Sequence, residues 1–367
     1  MKKGIAGWLV LLLLTMVLPL HAWAEPAAPN SLSNEETASI EAWINKTMRE
    51  GKIPGASVVI VKGEQTVYSK GFGDSDVAAK RPVTPETLFE LGSTSKAFTA
   101  LAVLSLEKQG LLHMKDPVQK YLPWFQVSYA GEDGSGTSRV AGITLEQLLH
   151  HTSGLSFDTI SDIHVGGDEQ ALERTVKAVV GERLDFYPGD RFQYASINYD
   201  ILGLVIEKVT GESFEVYLKN NVLNPLGLKN TYLFRTEAEQ HEMARGYKLG
   251  FLKAREYQAP VYRGNTPAGY VISNGNDMAA WLKIQMGGQA EAAKDADLIA
   301  RSHQPDRSVF PGLAGSSYAA GWFVYLKGLG ELSHGVRNLN YSSSSCFRSA
   351  AQFAFPRFTT PPSSYPL

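Results

Sequence analysis

Residues 88–110, "LFELGSTSKAFTALAVLSLEKQG", place the hydroxyls of Ser93, Thr94 and Ser95 directly before the amine of Lys96. A helix turns about 100° per residue, so positions i and i+3 share a face; Ser93 lines up with Lys96 while Ser95 points elsewhere. At the first turn of a helix, free backbone N–H groups can stabilise an oxyanion, and an amine held in a partly desolvated cleft can help take the serine proton. An N-cap serine followed by a surface lysine has the same spelling, and the spacing alone does not separate the two readings.

The elements around this stretch must present it. Residues 93–110 read as a helix rich in Ala, Leu and Lys that ends at Gly110. Upstream, Ser33 with Glu36 three residues on predicts a capped helix carrying Ile40, Trp43, Ile44 and Met48, stopped by Gly51 and Pro54. "ASVVIVK" and "TVYSKGFGD" then read as an antiparallel hairpin about Gly63-Glu64. Residues 130–142 are polar and read as a loop, and Thr144 can cap the short helix "LEQLLHH". Helical patterns return at about 168–181, 198–211, 213–221 and 276–286, and a strand-like run follows in "AAGWFVYLKGLGELSHGVR". The expected architecture is α+β: an antiparallel sheet built from both chain ends, flanked by helices, with a mostly helical subdomain inserted and a cleft where the two parts meet.

Composition narrows the classes. The chain has 367 residues and 44% apolar side chains, enough for a large core. Lys2 and Lys3, an apolar stretch from Ile5 to Leu20 and then Ala22-Trp23-Ala24 read as a secretory signal peptide over residues 1–24, so the expected location is secreted or in the cell envelope. With Cys346 as the single cysteine there is no intrachain disulfide. Without Lys2 and Lys3 there remain 33 basic against 37 acidic residues and no dense basic run, which argues against nucleic acid and acidic membrane surfaces as partners.

Three further stretches follow Ser93 and Lys96 in order: "LLHHTSGLS" (148–156), "YPGDRFQYASINYDILG" (187–203) and "TPAGYVISNGNDMAAWLKI" (266–284). With them the chain resembles the serine β-lactamase and penicillin-binding protein superfamily, and within it the class C-like branch that also holds D,D-peptidases and esterases; the resemblance runs from about residue 36 to about 335. It implies Ser93 as the acylated nucleophile, Lys96 as its proton-handling partner, and Tyr194 as the phenol that relays the proton to or from the leaving group. A phenolate at Tyr194 needs a depressed pKa, which Lys96 would favour electrostatically. Ser196 stands where the family has asparagine, a shorter donor toward a substrate carbonyl. His150 and His151 lie in the family's structural turn and are not expected to bind metal. The alternative serine arrangement, the G-x-S-x-G elbow of α/β-hydrolases, is absent from the chain.

The family's third element, a cleft-wall strand with Lys-Thr-Gly or a His-x-Gly variant, is matched by His334-Gly335-Val336. His334 then contacts substrate and the backbone N–H of Arg337 is the second oxyanion donor, while Val336 crowds a position where glycine is expected. The resemblance thus covers a domain at 25–345. Beyond it, residues 346–367 read as an atypical tail of truncated or frame-altered appearance, lacking the expected strands and closing helix and leaving the N-terminal hairpin with an unpaired edge. The expected protein is a monomeric exported serine hydrolase without metal or organic cofactor, acting on cell-wall D-alanyl peptides, β-lactams or small esters. The alternative is a non-catalytic relative that binds penicillin or peptidoglycan fragments.

Overall fold

The computed structural model describes residues 31–130, 138–140, 142–288, 295–309, 316–325, 331–337, 342–348, 353–354 and 357–359. The expected signal peptide at 1–24 lies outside them. Helix α1 (Asn34–Gly51) starts where the sequence predicts: the Glu36 N–H donates to Ser33 Oγ at 3.2 Å and the Ser33 N–H donates to the Glu36 carboxylate at 2.8 Å, a closed capping box. Its Ile40, Ile44 and Met48, spaced by one turn, pack on Val58 and Phe72 of the hairpin β1 (Gly55–Lys62) and β2 (Gln65–Asp76). Strand β3 (Arg81–Pro82) pairs with β2, and β4 (Phe89–Glu90) leads into a 3₁₀ turn at Gly92–Thr94 that continues as α2 (Ser95–Lys108).

The inserted block is mostly helical. Its elements are β5 (Ser128–Ala130), β6 (Ser138–Val140), α3 (Leu145–Leu149), α4 (Ala171–Lys177), α5 (Ile197–Thr210), α6 (Phe214–Leu218) and α7 (Arg235–Ala238). The hairpin β7 (Tyr247–Gly250) and β8 (Lys253–Glu256) follows, then α8 (Thr266–Gly269), β9 (Ile272–Ser273), α9 (Gly275–Gln285) and α10 (Ala296–Ser302). The polar stretch read as a loop contains the paired strands β5 and β6 at its ends. Helix α2 runs through the middle of the main core: eleven of its fourteen residues are buried, and Phe98 stacks on Trp281 of α9 with ring centroids 4.2 Å apart. That explains its low amphipathicity in sequence, because a helix covered on all sides needs no polar face.

The chain then returns to the sheet with β10 (Ser316–Tyr318), β11 (Phe323–Tyr325), β12 (Glu331–Arg337), β13 (Ser342–Arg348), β14 (Phe353–Ala354) and β15 (Arg357–Thr359). Across the sheet the order is β10-β11-β12-β13-β14-β1-β2-β3, with β15 beside β1 and β13, every pairing antiparallel. Helix α1 covers one face of β1–β2 and α9 packs on β1, which is why β1 is a continuous apolar run and not an alternating one. The α+β expectation holds, but the tail differs from its sequence reading. A boundary at residue 346 cuts through β13, and β1 is paired on its second side, Val61 with Ala354 and Ala56–Val58 with Arg357–Thr359. The unsatisfied backbone groups of an apolar β1 are a strong pairing demand, met here by segments holding Phe353 and Phe358.

Candidate active site

Ser93 and Lys96 are brought together. The Lys96 ammonium nitrogen lies 3.2 Å from Ser93 Oγ, with Ser93 at the N-terminal turn preceding α2 and Lys96 fully buried. The surface-lysine reading is therefore excluded. Three side chains of α2 grip one segment of the inserted block: Lys96 Nζ donates to the Ala268 carbonyl at 2.7 Å, Thr99 Oγ1 to the Pro267 carbonyl at 2.7 Å, and Ser95 Oγ accepts the Val271 N–H at 3.1 Å. The backbone joins in, with Leu91 N–H on the Val271 carbonyl at 2.8 Å. Ser95, which points away from Ser93 as the spacing predicts, thus ties down the segment opposite.

Opposite that segment, Gly321 has φ +82° and lies flush on α2: a Cβ there would sit 2.5 Å from Ala97 Cα and 2.7 Å from its nitrogen. Only glycine permits this approach of the β10–β11 turn to the lysine-bearing helix. Strand β12, carrying His334-Gly335-Val336, packs against the Gly92–Thr94 turn. It is in register with β13, His334 opposite Ser345 and Arg337 opposite Ser342. The backbone of the expected wall is therefore beside the turn that carries Ser93; the side chains of His334, Val336 and Arg337 lie outside what the structure describes.

Tyr194 enters from the loop before α5. Its ring is partly buried, with the Lys96 nitrogen 5.0 Å from the ring centroid, and its hydroxyl interacts with the Ser93 side chain. A second residue shapes its position. His151 is fully buried with φ 58°, a costly conformation for a side-chain-bearing residue, and its ring centroid lies 4.2 Å from that of Tyr194. Its Nδ1 accepts from the Ala195 N–H at 3.2 Å and contacts Asn198 Nδ2 at 2.9 Å, while Asn198 Oδ1 accepts from Ser153 Oγ at 2.8 Å. These contacts put the proton on Nε2 and lock the Tyr194-Ala195-Ser196 backbone to the "HHTSG" turn. Ser196 is buried, with its Oγ 3.4 Å from Lys96 Nζ, so its hydroxyl faces the lysine.

Burial decides the protonation states. It pushes the Lys96 amine well below its ordinary value, opposed by the negative charge of Asp200, which makes a neutral, proton-accepting lysine accessible. Burial also pushes the Tyr194 phenol up, against the lowering by its Ser93 contact, and Asp200 adds to the rise. This direction is opposite to the depressed pKa that a phenolate at Tyr194 needs: desolvation favours the neutral phenol, and Lys96 is itself driven toward neutrality. Asp200 lies inside the stretch 187–203 and its partner Asn265, bonded to it at 2.6 Å, directly before 266–284; neither stands out in sequence, because a buried acid on a buried amide arises only when α5 and the segment before α8 pack together. None of Ser93, Lys96 and Tyr194 lines the cavity of about 230 Å³ bounded by Glu90, Arg235, Arg263 and Tyr270.

The family profile described as Beta-lactamase matches residues 40–360. Protein flp of Staphylococcus aureus (strain COL) is 33% identical over 293 residues, covering 80% of this chain and 57% of that protein. PbpX of Bacillus subtilis (strain 168) is 28% identical over 77% of this chain and 64% of its own length, so the chain spans less than two thirds of either relative. Among solved structures, the octameric penicillin-binding protein homologue from Pyrococcus abyssi superposes with a TM-score of 0.75 at 30% identity, covering 90% of this chain and 74% of that one.

Proposed function

The chain belongs to the β-lactamase family, and from that premise we propose that it is an exported serine hydrolase of the class C-like branch, opening an amide or ester bond through an acyl-Ser93 intermediate. The observation that carries this is the Lys96 nitrogen 3.2 Å from Ser93 Oγ inside a site where burial favours the neutral amine. Lys96 takes the hydroxyl proton as Ser93 Oγ bonds to the substrate carbonyl carbon. The oxyanion is received by the backbone N–H groups of Ser93 and, across the cleft, of Arg337. Tyr194, a neutral phenol, donates its proton to the departing nitrogen or oxygen as that bond breaks, and regains one from the Lys96 ammonium. Water then attacks the acyl carbon, and the reverse proton path restores Ser93. Substrate contacts are assigned to Ser196 and His334, and the substrate to D-alanyl peptides, β-lactams or small esters.

A second reading, a penicillin-binding protein that is acylated and releases product slowly, is favoured by Ser196. Its hydroxyl faces Lys96, where the family's longer amide would reach for substrate. One experiment separates these. The protein and its Ser93→Ala variant are incubated with a fluorescent penicillin, a chromogenic cephalosporin and a p-nitrophenyl ester. Stable Ser93-dependent label identifies the binding protein, rapid cephalosporin turnover a lactamase, and ester turnover alone an esterase. No Ser93-dependent signal with any of them sinks the acyl-serine mechanism. Export rests on residues 1–24 and is checked by N-terminal sequencing of secreted material, with a start near Glu25 expected.

A further inference from the structure

Behind the Ser93–Lys96 pair lies a carboxylate to which the mechanism above gives no task. Asp200, in the first turn of α5, is fully buried. Its Oδ2 accepts a hydrogen bond from Asn265 Nδ2 at 2.6 Å, and Asn265 immediately precedes α8, whose Ala268 carbonyl receives the Lys96 ammonium at 2.7 Å. Helices α2, α5 and α8 pack on one another at this point, and Gly203 of α5 makes that possible: a Cβ there would lie 2.3 Å from Pro267 Cγ. The acid and the amine therefore approach the same short segment from two helices, both out of reach of solvent.

Burial pushes the Asp200 carboxyl up, to about 8, against the lowering by the Asn265 amide, by Lys96 and by a hydrogen bond with the Ala268 backbone, so the acid holds its negative charge only as far as these partners offset burial. Lys96 and Asp200 each make the other's ionised form easier to hold, and both bond to the backbone of Ala268, the amine to its carbonyl at 2.7 Å. The other titratable groups facing them are phenols: Tyr194 and Tyr199 under the Lys96 nitrogen, and Tyr270 within the field of Asp200. Helix α8 offers none, and β12 contributes the positions His334 and Arg337. We propose that Asp200, fixed by Asn265, is the buried counter-charge of Lys96, a positioning residue that decides when this amine holds the serine's proton.

The consequence is a balance. During acylation the proton leaves Ser93 and makes Lys96 cationic; Asp200 stabilises that cation, while Ala268 fixes its place. Without the negative charge the amine loses its proton more readily but is a weaker base. This rests on the acyl-Ser93 reading, and its test is built to fail separately. In Asp200→Asn, which preserves shape and an acceptor for Asn265, the acid limb of Ser93 acylation by fluorescent penicillin is expected to move down by about one pH unit. The plateau rate should fall about tenfold. The Lys96 side-chain nitrogen, followed by ¹⁵N-lysine NMR and assigned against Lys96→Met, should titrate lower by the same amount whether or not the protein acylates. If Asp200→Asn does not fold, Asn265→Ser serves: removing the bond to Oδ2 makes Asp200 easier to protonate, so the shift has the same sign and smaller size. A Lys96 titration that stays put while thermal stability drops would overturn the proposal.

Discussion

Ser95 and Thr99 flank the reactive pair without facing the nucleophile, yet they hold its surroundings. Both are fully buried, and each makes one hydrogen bond to the Pro267–Val271 backbone. Leaving a buried N–H unpaired costs about 1 to 3 kcal/mol, so Ser95→Ala should lower stability by that amount in denaturant unfolding while acylation by penicillin persists at a reduced rate. Lys96→Met removes the proposed base; acylation should fall by about 10² to 10⁴-fold with the fold intact by circular dichroism. The pH dependence has a definite sign. Burial favours neutral Lys96, so acylation should be slow in acid, where the amine is charged, and rise as pH passes the lowered Lys96 pKa, well before an ordinary lysine would deprotonate. A limb first appearing near pH 10 would show that Lys96 stays charged and cannot be the base.

At the scale of elements, the cleft is set by how closely backbones approach α2. Gly321 is the tightest of these contacts, and its positive φ adds strain to any side chain placed there. Gly321→Ala should therefore destabilise by about 2 to 4 kcal/mol, from overpacking together with the left-handed backbone, and should displace the N-terminal turn of α2. The measurement is thermal unfolding alongside the penicillin acylation rate, with both expected to fall. The secondary structure was largely legible beforehand: α1 with its capping box, the β1–β2 hairpin, α2, α3 capped by Thr144, and α5. These depend on local chemistry within four or five residues. What was not legible were short elements such as α8 and the turn holding Gly321, whose form is dictated by what they press against.

The whole molecule joins a sheet made from both chain ends to a helical block, and α2 runs along the junction. Because β1 is paired with β2 on one side and with β14 and β15 on the other, its amides at Val58–Val61 should be among the slowest to exchange with deuterium. Fast exchange of alternate amides there would mean that the second edge is open, as the tail's composition by itself predicts. No helix among the described residues is long and apolar enough to cross a membrane. The sequence alone placed Ser93 and Lys96 on one face, because a three-residue helical spacing is a local property, and the ordered motifs singled out these two and Tyr194 as the candidates. Only the tertiary structure decided the direction in which burial shifts that lysine and phenol, the hydrogen bond of Ser95 and the approach of Asp200. Each of these depends on burial and on charges from distant segments, and desolvation is a property of the assembled core that no single stretch of chain possesses.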